Sequence, residues 1–180
     1  MLKNFDIGPF KKIKPPSDNG HTTRVELNEL KKIPIRESFV KDMDDGEKNF
    51  TKVVGKDPII GKLISQSNPF IMKLKNHFNR PRPAVLAKKL GIELDDIKLK
   101  SMDSPAYPSG HATQATLLSL VLSDKYPDKK EKLNKLARNI IHSRRVAHTH
   151  YLSDNIAGEK LGKQMYNYIK NNKNGNEKSS

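Results

Sequence analysis

Apolar residues in this chain recur at three- and four-residue intervals, the spacing of helices with one buried face. Val25, Leu27, Leu30 and Ile33 form the first such group, after a cap at Thr22 or Thr23, and Pro34 stops it. A sparser helical stretch is expected from Ser38 to about Val54. Asp57-Pro58 starts a helix with Ile59, Ile60, Leu63 and Ile64 inward, and Asn68-Pro69 starts another with Phe70, Ile71, Leu74 and Phe78. Pro81 and Pro83 end it, and a short helix from Ala84 to Leu90 closes at Gly91. Residues 92–110 read as a loop, and His111 to about Lys125 as a strong helix. Asp128 caps a long helix reaching about Arg145, and the last helix spans Ser153 to Ile169. Gly158 and Gly162 lie four apart in it, which lets a neighbouring helix approach closely. No segment alternates at period two. The expectation is an all-α, single-domain bundle of roughly seven to nine helices. It would run over residues 21–171, after an irregular arm at 1–20 and before a disordered polar tail at 172–180.

Composition narrows the function classes. There is no apolar run of about 20 residues, so no transmembrane helix is expected. No signal-peptide pattern opens the chain, which makes a cytoplasmic location the default. The absence of cysteine removes thiolate nucleophiles and cysteine zinc sites. A formal net charge of +14 favours anionic partners. The few aromatic residues are not interleaved with the basic ones, which argues against nucleic acid.

Three clusters carry candidate chemistry: KNHFNRPRP at 75–83, PSGH at 108–111 and SRRVAHTHYLSD at 143–154. Together they offer cations for a phosphate, a glycine turn with a histidine, and a second histidine with a carboxylate. That inventory suits phosphoryl transfer without a metal: one histidine attacks, the other protonates the leaving oxygen. Asp154 lies four residues after His150, close enough to fix its tautomer. Arg144 lies six before His150, about 240° away on a continuous helix, so the chain must bend near Thr149 to Leu152. Ser153 is available as a cap after that bend. His148 has no matching carboxylate, and Arg145 is out of step by one. Gly110 allows close backbone approach to an anion, and the amides of Ser109 and Gly110 can point at its oxygens, with His111 beside them. In the first cluster two registers stay open, Lys73 with Arg80 or Lys75 with Arg82. Near these motifs the sequence shows two carboxylates, Asp103 and Asp154.

Taken together, the clusters resemble the signature of the type 2 phosphatidic acid phosphatase and vanadium haloperoxidase superfamily: Lys, six residues, Arg-Pro; Pro-Ser-Gly-His; Ser-Arg, five residues, His, three residues, Asp. The likeness covers roughly residues 55–170 and is greatest to the soluble bacterial class A acid phosphatases, whose first motif also has an Arg two before the Arg-Pro. The resemblance implies a helical bundle and selects Lys75 and Arg82, leaving Lys73 and Arg80 as screened surface charges. It implies that Lys75, Arg82 and Arg144 bind phosphate, helped by Ser109 and Gly110. His150 would be the nucleophile, Asp154 its orienting carboxylate, and His111 the general acid and then base. The implied function is a soluble, metal-independent acid phosphatase working through a phosphohistidine on phosphorylated small-molecule or lipid-derived substrates. It needs no cofactor, though vanadate can mimic phosphate. A vanadate-dependent haloperoxidase and a basic nucleic-acid- or anion-binding protein are the alternatives; the latter has no need of a paired nucleophile and acid.

Overall fold

The computed structural model describes the backbone of residues 1–177 and every side chain among them except those of 101 and 173–177. Among the described residues there are eight α-helices and no strand: α1 His21–Lys31, α2 Glu37–Asp44, α3 Gly46–Val54, α4 Pro58–Phe78, α5 Pro83–Lys89, α6 Gly110–Lys125, α7 Lys130–Val146 and α8 Leu152–Glu177. None is long and apolar enough to cross a membrane.

Helix α6 is the centre of the bundle. It buries residues on every side, including Ala112, Leu117, Ser119 and Leu122, as a helix enclosed by others must. α7, α8 and α4 pack around it. The main core joins Phe50, Leu63, Leu74, Leu118, Ile140 and Met165 from five helices. Two smaller clusters flank the functional residues: Leu27, Leu86, Ala106 and Tyr151 on one side, Val40, Val146 and Ala147 on another.

Gly158 and Gly162 face α6 directly. A Cβ at Gly158 would lie 2.5 Å from the Ser109 carbonyl oxygen, and one at Gly162 2.5 Å from that of Thr113. The four-residue glycine spacing therefore sets how near α8 comes to α6, and it does so at the end that carries Ser109.

Several boundaries differ from the sequence expectation. α4 runs unbroken through Pro69. A proline lacks the N–H that would bond the carbonyl four residues back; in the neighbouring turn the Ser67 hydroxyl and the Gln114 amide donate to the Ile64 carbonyl. The stretch from Ser38 to Val54 is two helices, because Asp45 turns out of the helical region and its side chain accepts from the Lys48 N–H. α1 starts at His21 after Gly20 rather than at a threonine cap, and Val25 faces solvent at 40% exposure. α7 is preceded by a 3-10 turn at Pro127–Lys129, with no side-chain cap from Asp128.

The ends pack more than their composition suggests. Leu2 and Phe10 are buried in the main core, and Phe5 meets Phe70 and Tyr168 edge-on. At the other end α8 continues to Glu177, into the stretch expected as a tail, while 178–180 lie outside the described residues.

Candidate active site

The three clusters converge where α4 ends, α6 begins and α7 turns into α8. α4 stops at Asn79, whose left-handed backbone (φ 48, ψ 39) and N–H bond to the Lys75 carbonyl close the helix. The chain then leaves the helix through Arg80 and Pro81 to Arg82, and both guanidinium groups reach the segment 149–154, Arg80 at Ser153 and Asp154 and Arg82 at Thr149 and His150. α7 ends at Val146, His148 takes a left-handed φ of 55, and α8 starts at Leu152. This is the bend that the Arg144 to His150 spacing requires.

His150 is the centre of the constellation. Its Nδ1 lies 3.0 Å from Asp154 Oδ2, and its Nε2 lies 2.9 Å from Arg82 Nη1. A guanidinium only donates, so Nε2 is an acceptor and the proton sits on Nδ1. Burial, reinforced by the Arg82, Lys75, His111 and Arg144 charges, holds the His150 imidazole well below its ordinary pKa. The ring is therefore neutral, with the lone pair on Nε2. Burial pushes the Asp154 carboxyl up, while the Arg80 guanidinium and the Tyr151 N–H pull it back. With Arg80 on Oδ1 and Tyr151 N–H and His150 on Oδ2, Asp154 serves as an acceptor on both oxygens.

His150 lines a cavity of about 240 Å³ together with Lys75, Arg82, Gly110 and His111. Lys75 is buried, with its ammonium on the Pro105 carbonyl. Burial, with the Arg82 charge next, pushes its pKa down to about 7. Arg82 donates through Nε to the Ser104 carbonyl at 2.9 Å; burial lowers its pKa to about 10, so it remains a cation. Gly110 opens α6, and amides in a first turn have no intrahelical acceptor. Arg144 is not among the residues that line this cavity; its Nη2 is buried and without a partner. An unpaired buried donor costs about 1–3 kcal/mol.

Lys75 and Arg82 line one cavity with His150, and Lys73 is exposed. Arg80 corrects the expectation of a screened surface charge. It is 1% exposed, 2.7 Å from Asp154 Oδ1, stacked 3.8 Å over the Tyr151 ring, and 3.4 Å from Glu26 of α1. Glu26 also accepts from the Ser153 N–H and hydroxyl, capping α8 from another helix. Ser153 is thus the capped residue rather than the cap. Ser109 corrects a second expectation. Its N–H is spent on the Asp154 carbonyl at 3.0 Å and its hydroxyl caps the Ala112 N–H, so it ties α6 to α8 instead of offering an amide to an anion.

The sequence reading missed Asp44 altogether. At the end of α2, its Oδ1 lies 2.7 Å from Arg144 Nη1, and its carbonyl oxygen lies 3.0 Å from His111 Nε2. The hydrogen bond from His111, with Arg144 beside it, holds the Asp44 carboxyl down to about 2. No local motif marks this residue, which reaches Arg144 across 100 positions. His148 stays outside the site: its ring nitrogens sit on the Asp95 and Ile33 carbonyls at 2.6 and 2.8 Å. Arg145 pairs with Glu29 at 3.7 Å. Asp103 lines a separate groove beyond Arg82.

The sequence model of the PAP2 superfamily matches residues 60–169, more than half of the chain. The chain belongs to the PAP2 superfamily. Among curated relatives, non-specific acid phosphatases of Salmonella typhi and Salmonella typhimurium (strain LT2) are 34% and 33% identical over 88 residues. That match spans 49% of this chain and 35% of each relative. Among solved structures, the first transmembrane PAP2 type phosphatidylglycerolphosphate phosphatase from Bacillus subtilis aligns with a TM-score of 0.51 at 14% identity, covering 95% of this chain and 80% of that one. The two share the PAP2 helical fold. α1, which supplies Glu26, and α2, which supplies Asp44, both lie outside the PAP2 match.

Proposed function

We propose that the chain is a metal-independent phosphomonoesterase that transfers the phosphoryl group to His150 Nε2 and then to water. The observation that carries this reading is the state of His150: neutral, oriented by Asp154 through Nδ1, with Nε2 accepting from Arg82, in a cavity that Lys75 and Arg82 also line. The acid phosphatase relatives and the PAP2 fold support it.

In the first step Nε2 attacks phosphorus and the bond to the leaving oxygen breaks. His111 gives its proton to that oxygen, so the alcohol departs neutral. The imidazole becomes cationic, and Asp154 stabilises it. Lys75, Arg82 and Arg144 neutralise the phosphoryl oxygens, the work that a metal does elsewhere. Arg82 now donates to Nε2; a phosphoryl oxygen is the stronger acceptor and draws the guanidinium off the lone pair. In the second step His111 takes a proton from water, which attacks phosphorus, and neutral His150 leaves.

The experiment is phosphate release from a panel of monoesters with and without a strong chelator, and with vanadate. Chelator-resistant, vanadate-sensitive release that vanishes in His150→Ala is expected. Activity that needs added magnesium or zinc, or halide oxidation by the vanadate-loaded protein at a rate rivalling phosphate release, would refute the reading.

A further inference from the structure

Two helices that pack together, α4 and α6, form most of the wall of the His150 cavity. α4 supplies Asn68, Met72 and Lys75, spaced four and three apart on one face. α6 supplies Gly110, His111 and Gln114 from its start. Two contacts match the helices to each other. A Cβ on Gly110 would lie 3.9 Å from Lys75 Cε, and Gln114 Nε2 lies 3.4 Å from the Ser67 hydroxyl oxygen. Moving back along α4 from Lys75 to Ser67 is therefore moving forward along α6 from Gly110 to Gln114. The cavity has one end at the Lys75–Gly110 contact and another toward Gln114 and Asn68.

The two ends differ in chemistry. Lys75, Arg82 and His150 belong to the first, which is where a phosphoryl group is held and attacked. At the second, Asn68, Met72 and Gln114 are all uncharged. The attacked and leaving bonds at phosphorus lie roughly in line, so the leaving oxygen points away from His150. His111, which follows Gly110 and precedes Gln114 by one turn, is the acid met on that path. The rest of the alcohol then lies between α4 and α6, over Met72 and up to Asn68. Asn68 is exposed at the mouth and Met72 half-buried. Gln114 donates through Nε2 to the Ile64 carbonyl and the Ser67 hydroxyl, which holds its amide against α4 and gives Oε1 the part of acceptor. Asn68 offers a donor and an acceptor together. The Met72 thioether chain is an apolar surface that adapts to the shape laid on it.

We propose that Asn68, Met72 and Gln114 form the leaving-group subsite, selecting monoesters of neutral alcohols that carry several hydroxyls on a body the size of one sugar ring. This rests on the phosphatase reading and narrows it. The seven residues from Lys75 back to Asn68 span about 10 Å of helix, room for a phosphate and one such ring. The carbon face of the ring rests on Met72, and its hydroxyls pair with the Asn68 and Gln114 amides. An alcohol of the same shape without hydroxyls leaves both amides unpaired, which is what makes polar sites discriminate. An alcohol with a second anion brings a charge to an end that no cation lines.

The test is kcat/KM for glucose 6-phosphate, cyclohexylmethyl phosphate and 6-phosphogluconate, three primary-alcohol esters, with vanadate inhibition measured beside them. Wild type should prefer glucose 6-phosphate to each of the others by tenfold or more. Asn68→Ala and Gln114→Leu should each shrink the ratio of glucose 6-phosphate to cyclohexylmethyl phosphate by roughly three- to tenfold, the worth of one neutral hydrogen bond. The vanadate inhibition constant, which reads the phosphate end alone, should move less than twofold. Gln114→Leu also removes a contact with α4; should a melting curve show that it fails to fold, Asn68→Ala, at an exposed helix position where alanine is favourable, carries the test. Equal turnover of the three esters, or a ratio unchanged in Asn68→Ala, overturns the subsite while leaving the phosphatase intact. No turnover of any ester and no vanadate binding would sink the phosphatase reading instead.

Discussion

Gly158→Ala tests how the helix contact holds the site. The added Cβ would stand 2.5 Å from the Ser109 carbonyl oxygen and 2.8 Å from the Ala112 Cβ. A comfortable carbon-to-carbonyl contact is about 3.3 Å or more, so the shortfall is roughly 0.8 Å. The obstacle is backbone of α6 and cannot swing aside. Overpacking of this kind costs about 1–3 kcal/mol, and the better helix propensity of alanine returns up to about 1. A net loss of about 1–2 kcal/mol corresponds to roughly 2–8 °C in Tm for a domain of this size. The displaced atoms belong to Ser109, whose N–H is bound to the Asp154 carbonyl. A shift approaching 1 Å between His150 with Asp154 on one side and Gly110 with His111 on the other should lower kcat/KM by about 10²-fold. Gly162→Ala makes the same 2.5 Å clash one turn farther from the site, against Thr113. It should lose similar Tm and much less activity. Thermal melts and steady-state phosphate release measure both. A Gly158→Ala protein with wild-type Tm and turnover, or equal activity losses in the two variants, would refute the reasoning.

Three further outcomes are expected. Because burial brings Lys75 down to about 7, it is protonated below that pH and neutral above it; binding of tungstate, a dianion throughout, should therefore be full below pH 7 and weaken up to tenfold per unit above, a limb that Lys75→Ala abolishes. Glu26→Gln removes one carboxylate from buried Arg80 and weakens the cap on α8; it should cost about 1–3 kcal/mol by denaturant unfolding and lower kcat more than it raises KM. His148→Ala leaves the Asp95 and Ile33 carbonyls without their ring partner; unfolding should show a loss of about 2 kcal/mol, with kcat within a few-fold of wild type, unlike His150→Ala.

What the sequence made legible is local. The bundle, the bend before His150 and the close glycine face each follow from residues within one or two turns of each other. His150 with Asp154, and Lys75 with Arg82, are pairs of the same kind, since a turn or a short extended run brings them together. Asp44 and Glu26 had no such signal. They reach Arg144 and Ser153 across 100 and 127 positions, from helices far away in the sequence. Arg80 was misread for a related reason: a basic residue after a helix end is ordinarily solvated, and only the arrival of Glu26, Tyr151 and Asp154 buries it. Pro69 misled because a proline can mark the first turn of a helix or sit inside one, and α4 already begins at Pro58.

The most direct test of the central claim is rapid acid-free quenching of the protein with a ³²P-labelled monoester, followed by peptide mapping. The account predicts a stoichiometric label that is stable to alkali, lost in acid, and located on the peptide containing His150. It should be absent from His150→Ala and longer-lived in His111→Ala, where water lacks its base. Label on another residue, or undiminished turnover by His150→Ala, would contradict it.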